Sequence, residues 1–461
     1  MKELRRNMRL VGAAVVIAFI MLAGWFSFTV FEQGAIWASS SRNTRLRATS
    51  AQRGDIVDRN GNVLATTKDG ERAYISNAFA RRALATTVGD DRGMSGTGVE
   101  SFHSAQLLDI SDSLLERLSA LLNGKSRRGN TVELTIDAPM TVELAQAFPS
   151  GYRGAVCVLN WKTGEVLAMV SMPNYDPLDV SSAEDTAFMN RCLQGLYTPG
   201  SVFKIVTLAS ALENDPNLAG QYFSCAGTWE YEGGSIVCLG REAHGTVSLE
   251  RAFAKSCNVT FGKLAYQLGF GRLGATAARM GFGQSLRLSD FTLSTSRFPS
   301  GSNNMSDLVW AGIGQSTVLV TPMHMAMIAA SVANGGTMIE PWTVRRVVSN
   351  TGLVVRMGGS NGSVNVMRGE TAASVAQCMR TAVTSGTATR ANIEGVTVCG
   401  KTGSAETSDD KTVETNAWFV GFIRESAHPY AVAVVIEQGG AGSRMATEVG
   451  RKALELAMER G

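Results

Sequence analysis

Leu10 to Phe31 read LVGAAVVIAFIMLAGWFSFTVF, twenty-two residues without a charge in which Ser27 and Thr29 alone are clearly polar. Coiled into a helix, that run reaches about 33 Å, enough to cross the hydrocarbon core of a bilayer. Lys2, Arg5, Arg6 and Arg9 precede it, whereas Glu32 follows it and no basic residue comes before Arg42. Positive charge on one flank places residues 1–9 in the cytoplasm and everything after Phe31 outside. A cleaved signal peptide is the alternative, but its apolar core runs only about 7–15 residues. Residues 10–31 are therefore read as an uncleaved, single-pass anchor.

The rest of the chain must fold outside the membrane. With 461 residues and about 150 per domain, there is room for two units besides an anchor. Hydrophobic residues at 44% and charged residues at 18% exclude a disordered chain, and one apolar run excludes a polytopic one. Forty-three basic against forty acidic residues leave +3, too balanced for a nucleic-acid binder. Seven cysteines without a C-x-x-C pair, and four histidines outside any H-E-x-x-H array, argue against a metal site or a disulfide scaffold. No cofactor is expected.

A polar stretch from Ser39 to Gln52 follows the anchor, then Arg53-Gly-Asp-Ile-Val-Asp-Arg-Asn-Gly61, where Asn60-Gly61 predicts a hairpin turn. A weak amphipathic helix is expected near Asp112 to Leu122, a strand over Thr131 to Ile136 and a helix over Met140 to Phe148. A boundary near residue 150 makes 32–150 a small, mixed, membrane-proximal pedestal domain and 151–461 a longer, better-patterned one. The longer unit opens with a hairpin, Ala155 to Asn160 and Glu165 to Ser171. It closes with a second, Ala417 to Ile423 and Tyr430 to Glu437, and a helix near Thr447 to Glu459. Helical patterns at Val202 to Glu213, Leu249 to Leu268 and Thr321 to Asn334 lie between. Strands at both ends of a helical middle predict an α+β domain whose terminal strands share one sheet.

Several motifs compete for the chemistry. Gly269-Phe-Gly271-Arg-Leu-Gly274 fits G-x-G-x-x-G but follows a helix rather than a strand, so it reads as a helix–helix connection. Gly358-Gly-Ser360-Asn-Gly362 fits the nucleophile elbow but has no helix behind it, and reads as a turn. Ser201-Val-Phe-Lys204 instead opens a helix, which sets a hydroxyl and an amine one turn apart beside free backbone N–H groups. The other S-x-x-K, Ser408 to Lys411, lies in a charged loop. Ser256-Cys-Asn258 is placed inside the long apolar stretch Leu249 to Leu268, where two polar side chains need partners, though local helix bonds would also satisfy them. Lys401-Thr-Gly403-Ser404 follows a strand-like Val396 to Gly400, whereas the copy at Lys162 is a hairpin turn. Ser201 precedes Ser256 by 55 residues and Ser256 precedes Lys401 by 145, all within one unit.

S-x-x-K, a second Ser/Asn motif and K-T-G in that order resemble the β-lactamase and penicillin-binding set. The chain resembles the bitopic class B penicillin-binding proteins of the serine acyltransferase superfamily. Arg53 to Gly61 looks like that group's signature after the anchor. Asn174-Tyr-Asp-Pro177, Thr198-Pro-Gly-Ser201, His244-Gly245, Gly312-Ile-Gly-Gln315, Thr321-Pro322 and Ala333-Asn-Gly-Gly336 look like its other landmarks. One departure is Gly314-Gln-Ser316, where the family often has Gly-Gln-Gly.

The resemblance implies an antiparallel sheet flanked by helices and a peptidoglycan D,D-transpeptidase of a bacterial cell membrane. Ser201 would attack the terminal D-Ala–D-Ala bond of a stem peptide and release D-Ala; an amine from a neighbouring stem would then resolve the ester. Lys204 would serve as the neutral amine, its pKa lowered by burial and by Lys401, with either lysine open as the acceptor of the proton and Ser256 open as its relay; Asn258 would hold the substrate amide and Lys204. The backbone N–H groups of Ser201 and Ser404 would form the oxyanion hole. Lys401, Thr402 and Ser404 would receive the substrate carboxylate, and Gly403 would clear room for strand pairing. β-Lactams would acylate Ser201, and the partner would be a membrane glycosyltransferase of the elongation or division machinery. A D,D-carboxypeptidase, a serine β-lactamase and a non-catalytic β-lactam sensor or scaffold remain alternatives with the same motifs. Cys225 and Cys238 flank Gly233-Gly234; a disulfide there, worth about 3 kcal/mol, and two reduced thiols are both open. Cys257 and Cys399 read as packing residues.

Overall fold

The computed structural model describes residues 2–38, 52–108, 128–286, 288, 290–299, 304–408, 410 and 412–461. The helix expected over 112–122 lies outside these. The first helix, α1 (Lys2–Ala38), contains the apolar run; Leu10 to Ser27 is long and apolar enough to cross a membrane, and none of it is buried against the chain.

The chain after α1 first builds a six-stranded sheet. Its order is Val354–Met357, Val344–Val348, Thr131–Leu134, Ile56–Val57, Val63–Lys68 and Glu71–Tyr74. Two of these strands come from beyond residue 340, so the ladder between Thr131–Leu134 and Val344–Val348 crosses residue 150. The expected hairpin at Asn60-Gly61 joins Ile56–Val57 to Val63–Lys68. Its turn is held by the buried carboxylate of Asp58, which accepts from the backbone N–H of Asn60 (2.9 Å) and Asn62 (2.8 Å). The same carboxylate accepts from the Ala138 N–H at the start of the helix Ala138–Ala147.

The longer unit is organised by a five-stranded antiparallel sheet. Its strands are β1 (Gly154–Asn160), β2 (Val166–Met172), β3 (Val398–Ala405), β4 (Asn416–Ile423) and β5 (Tyr430–Ile436), in the order β3-β4-β5-β1-β2. The two terminal hairpins thus share one sheet. Every residue of β4 and β5 is buried, which requires helices on both faces. They include α2 (Lys204–Asn214), α3 (Leu249–Ala254), α4 (Asn258–Arg279), α5 (Pro322–Ala333), α6 (Gly369–Ser385) and α7 (Met445–Arg460). Of these, α5 packs on β1, β4 and β5, and α7 on β4 and β5.

One expectation is corrected. Leu249 to Leu268 is not a single helical stretch: it breaks between α3 and α4. The Cys257 N–H bonds the Ala252 carbonyl (2.8 Å) and the Ser256 N–H the Phe253 carbonyl (3.0 Å), a Schellman closure with Ser256 in the left-handed region at φ 58°. Cys257 then caps α4, its sulfur accepting from the Thr260 N–H. Two helix ends expose Ser256 and Asn258 at a junction, where a continuous helix would have drawn them into local bonds. The glycine-rich Gly269 to Gly274 lies where α4 kinks at Gly269, a bend between helical halves.

Candidate active site

A 3₁₀ turn, Gly200–Phe203, carries Ser201 and runs directly into α2, so Ser201 and Lys204 stand on one helical face. This turn packs on the edge strand β3. The fit depends on two glycines. A side-chain carbon on Gly403 would lie 2.8 Å from the Pro199 carbonyl oxygen, and one on Gly200 (φ 56°) would lie 2.8 Å from that of Ser404. The nucleophile's own turn thus approaches Gly403 too closely for a side chain, a constraint separate from the strand pairing that the resemblance implies. Trp418 on β4 ties the same turn down, its Nε1 donating to the Thr198 carbonyl at 3.0 Å.

Lys204 is the hub. Its Nζ lies 2.9 Å from Ser201 Oγ, 3.1 Å from Ser256 Oγ, 2.8 Å from the Ser256 carbonyl and 2.7 Å from Asn258 Oδ1. The orientation of the Asn258 amide is set by its other end, where Nδ2 donates to the Val237 carbonyl at 2.8 Å. Two of the four partners, Asn258 Oδ1 and the Ser256 carbonyl, can only accept. A neutral amine has two N–H bonds for those two acceptors. Its lone pair is then left for a hydroxyl proton, and Ser201 Oγ–H is the nearer donor.

Electrostatics favour that neutral form. Lys204 is fully buried, and burial pushes its pKa down to about 7, with the sulfurs of Cys257 and Cys238 pulling the other way. Lys401, equally buried, is driven well below the ordinary lysine value by burial and then by the charge of Lys204. Its Nζ donates to Ser256 Oγ (3.0 Å) and to the Thr402 carbonyl (2.9 Å). The Ser256 hydroxyl thus sits between two amines that cannot both hold a charge cheaply. Buried Phe261 and Phe253 lie beneath Lys204 and Lys401 and help to shield both amines from solvent.

The structure brings Ser201, Lys204, Ser256, Asn258 and Lys401 into one hydrogen-bonded cluster. Thr402, Gly403 and Ser404 line the adjoining edge of β3. Thr402 Oγ1 meets Thr387 Oγ1 at 2.6 Å, and Ser404 Oγ accepts from the Gly442 N–H at 3.2 Å. Sequence reasoning passed over Thr387 and Gly442, because only their position in space marks them. It also passed over a convergence behind Ser256 and Asn258: Cys225, Cys238, His244 and Cys257 bring their donor atoms within 4.8 Å of one another. Cys225 and Cys238 are not joined in a disulfide, their sulfurs lying 3.6 Å apart. The copy of K-T-G at Lys162 lies in the turn between β1 and β2, far along the chain from any of these contacts.

Known proteins resemble this chain in sequence and fold. The family described as penicillin binding protein transpeptidase domain matches residues 154–455. Peptidoglycan D,D-transpeptidase PbpA of Mycolicibacterium smegmatis is 29% identical, over 99% of this chain and 99% of its own length. The ceftriaxone acyl-enzyme complex of penicillin-binding protein A from M. tuberculosis superposes with a TM-score of 0.81 at 28% identity, covering 89% of this chain and 99% of that one. The D,D-transpeptidase domain of a peptidoglycan glycosyltransferase from Eggerthella lenta gives 0.77 at 28%, with coverage of 89% and 99%.

Proposed function

We propose, from the premise that this chain belongs to the penicillin-binding protein transpeptidase family, that it is a peptidoglycan D,D-transpeptidase working through an acyl-serine at Ser201. The observation that carries the reading is the Lys204 amine, dry and bonded at once to Ser201, Ser256 and Asn258. Neutral Lys204 takes the Ser201 proton as Oγ attacks the carbonyl of the terminal D-Ala–D-Ala bond. The oxyanion is received by the backbone N–H groups of Ser201 and Ser404. The C–N bond then breaks, and the departing D-Ala amine receives the proton through Ser256, whose hydroxyl touches both lysines. An amine of a second stem peptide attacks the ester, gives its proton to the same relay and restores Ser201. Asn258 holds the donor amide, and Lys401, Thr402 and Ser404 take the terminal carboxylate.

We further propose that α1 anchors the chain with residues 1–9 in the cytoplasm and the catalytic unit outside, as the basic flank supports. Residues 32–150 then form the membrane-proximal unit, available for docking to a membrane glycosyltransferase, by family analogy.

Intact mass after incubation with penicillin, on the full chain and on Ser201→Ala, tests the reading. One stable adduct on the unaltered chain and none on Ser201→Ala is expected, followed by amine-dependent cross-linking of a stem peptide. Rapid loss of the adduct with drug turnover would make the chain a hydrolase. No adduct on folded protein would make it a scaffold.

A further inference from the structure

The convergence of three cysteines and a histidine carries an inference beyond the acyl-transfer chemistry. Cys225 ends the strand Tyr222–Cys225, Cys238 follows the strand Gly234–Val237, His244 precedes the strand Gly245–Ser248, and Cys257 caps α4. Four separate pieces of chain thus aim four soft or borderline donors at one point. The three cysteines are buried and His244 is half-buried.

The spacings match one geometry. The sulfur of Cys238 lies 3.6 Å from that of Cys225 and 3.8 Å from that of Cys257. His244 Nδ1 lies 3.4 Å from Cys225 Sγ and 3.6 Å from Cys238 Sγ. A tetrahedral zinc with Zn–S of about 2.3 Å and Zn–N of about 2.0–2.1 Å has S···S edges near 3.8 Å and S···N edges near 3.5 Å. A disulfide would need sulfurs about 2.05 Å apart. Donors to sulfur are already in place: the Gly227 N–H points at Cys225 Sγ (3.4 Å), and the Thr260 N–H (3.4 Å) and hydroxyl (3.2 Å) at Cys257 Sγ. Such donors suit thiolates rather than thiols.

We infer that Cys225, Cys238, His244 and Cys257 form a closed, structural site for a zinc ion, which clasps the turn that presents Ser256 and Asn258 to Lys204. Binding replaces three S–H bonds by three Zn–S bonds and releases three protons; His244 coordinates through Nδ1 and keeps its proton on Nε2. The clasp acts on the catalytic cluster through short covalent links. Cys257 is bonded to both Ser256 and Asn258, and the Asn258 amide is tied to Val237, the neighbour of Cys238. The metal itself touches no substrate, so its ligands are positioning residues. This positioning clause rests on the acyl-serine reading, whereas the metal site does not.

The test uses the reduced full chain in detergent, depleted of metal and titrated with Co²⁺. One equivalent should produce sulfur-to-cobalt charge-transfer absorption in the near ultraviolet and the intense visible bands of tetrahedral cobalt, and Zn²⁺ should abolish both. Cys238→Ser should lose charge-transfer intensity, and His244→Gln should weaken binding while keeping it. Metal-free chain should be acylated by labelled penicillin on the order of 10²-fold more slowly, the cost of about 1 Å of misplacement, and Zn²⁺ should restore the rate. A featureless cobalt titration of folded, reduced protein, or a Cys225–Cys238 disulfide in freshly isolated chain, would overturn the site. Equal acylation with and without zinc would overturn the clasp. The cobalt spectrum is read without any β-lactam, so its failure leaves the acyl-serine reading standing. A Ser201→Ala chain that still takes penicillin leaves the metal site standing.

Discussion

Lys204 loses its charge near neutrality because burial penalises its charged form, not because any anion has been removed. A buried amine at about 7 acts as a base only in its neutral form, so acylation of Ser201 by penicillin should rise with pH through that value and level above it. Lys204→Met should flatten the profile and slow acylation by about 10²–10⁴-fold, the usual worth of a positioned base; an unchanged rate in stopped-flow measurements would remove Lys204 from that role. Ser256 tests a different balance. It occupies a left-handed conformation that glycine adopts freely and serine does not. Ser256→Gly should therefore leave the melting temperature equal or higher, with a gain of up to about 1 kcal/mol, while acylation falls. A fall in both would mean that the hydroxyl supports the fold as well as the reaction. Gly403→Ala should act in the opposite direction to a packing gain. The added carbon would press on the Pro199 carbonyl and displace the Ser201 turn, costing on the order of 10²-fold in acylation for a shift of about 1 Å.

At the scale of elements, the N-terminal hairpin hangs on one side chain. Asp58 satisfies the N–H groups of Asn60, Asn62 and Ala138 and the Asn62 amide, all from a fully buried position. Asp58→Ala leaves those donors without an acceptor and should cost at least about 2–3 kcal/mol, read as a lowered denaturation midpoint. Penicillin acylation at low temperature should persist, because no catalytic group contacts that turn. The Asn-Gly turn itself was legible in the sequence, since its two residues carry the required backbone freedom. The sheet that the hairpin enters was not. Val344–Val348 pairs with Thr131–Leu134, more than two hundred residues earlier, and carries its own hairpin partner Val354–Met357 into the same sheet, and no local pattern records which distant edge a strand will find. The junction at Ser256 escaped notice for a related reason. A serine has no intrinsic preference for a left-handed helix end, so packing chose what propensity did not.

Across the whole molecule, two buried histidines couple the fold to pH. His324 donates from Nε2 to the Met280 carbonyl (2.7 Å) and accepts at Nδ1 from the Ser296 hydroxyl (2.8 Å), beside the ring of Phe282; burial pushes its pKa from 6.5 down to about 4. His103 is buried near Asp290, which also binds Arg356; burial lowers its pKa too, against the pull of Asp290. Both are neutral in the folded chain over a range where the unfolded chain binds a proton. Their contribution is therefore complete above pH 6.5 and is lost as pH falls towards about 4, at a slope of about 1.36 kcal/mol per pH unit for each group. His324→Gln should lower stability at pH 7.5 and make the acid limb of the denaturation profile shallower; an unchanged slope would mean that His324 is not the titrating group.

The apolar N-terminal run, its charged flank, the order of the three motifs and the two terminal hairpins follow from the sequence by itself. Each depends on composition, on a period of two or 3.6 residues, or on spacing along the chain. The tertiary structure decided what those motifs become. It set Lys204 within 3.1 Å of side chains fifty-two and fifty-four residues away, removed the water that would have kept it charged, and drew Cys225, Cys238, His244 and Cys257 to one point. Distance, desolvation and convergence are properties of neighbours in space, and a chain read in order lists only neighbours in sequence.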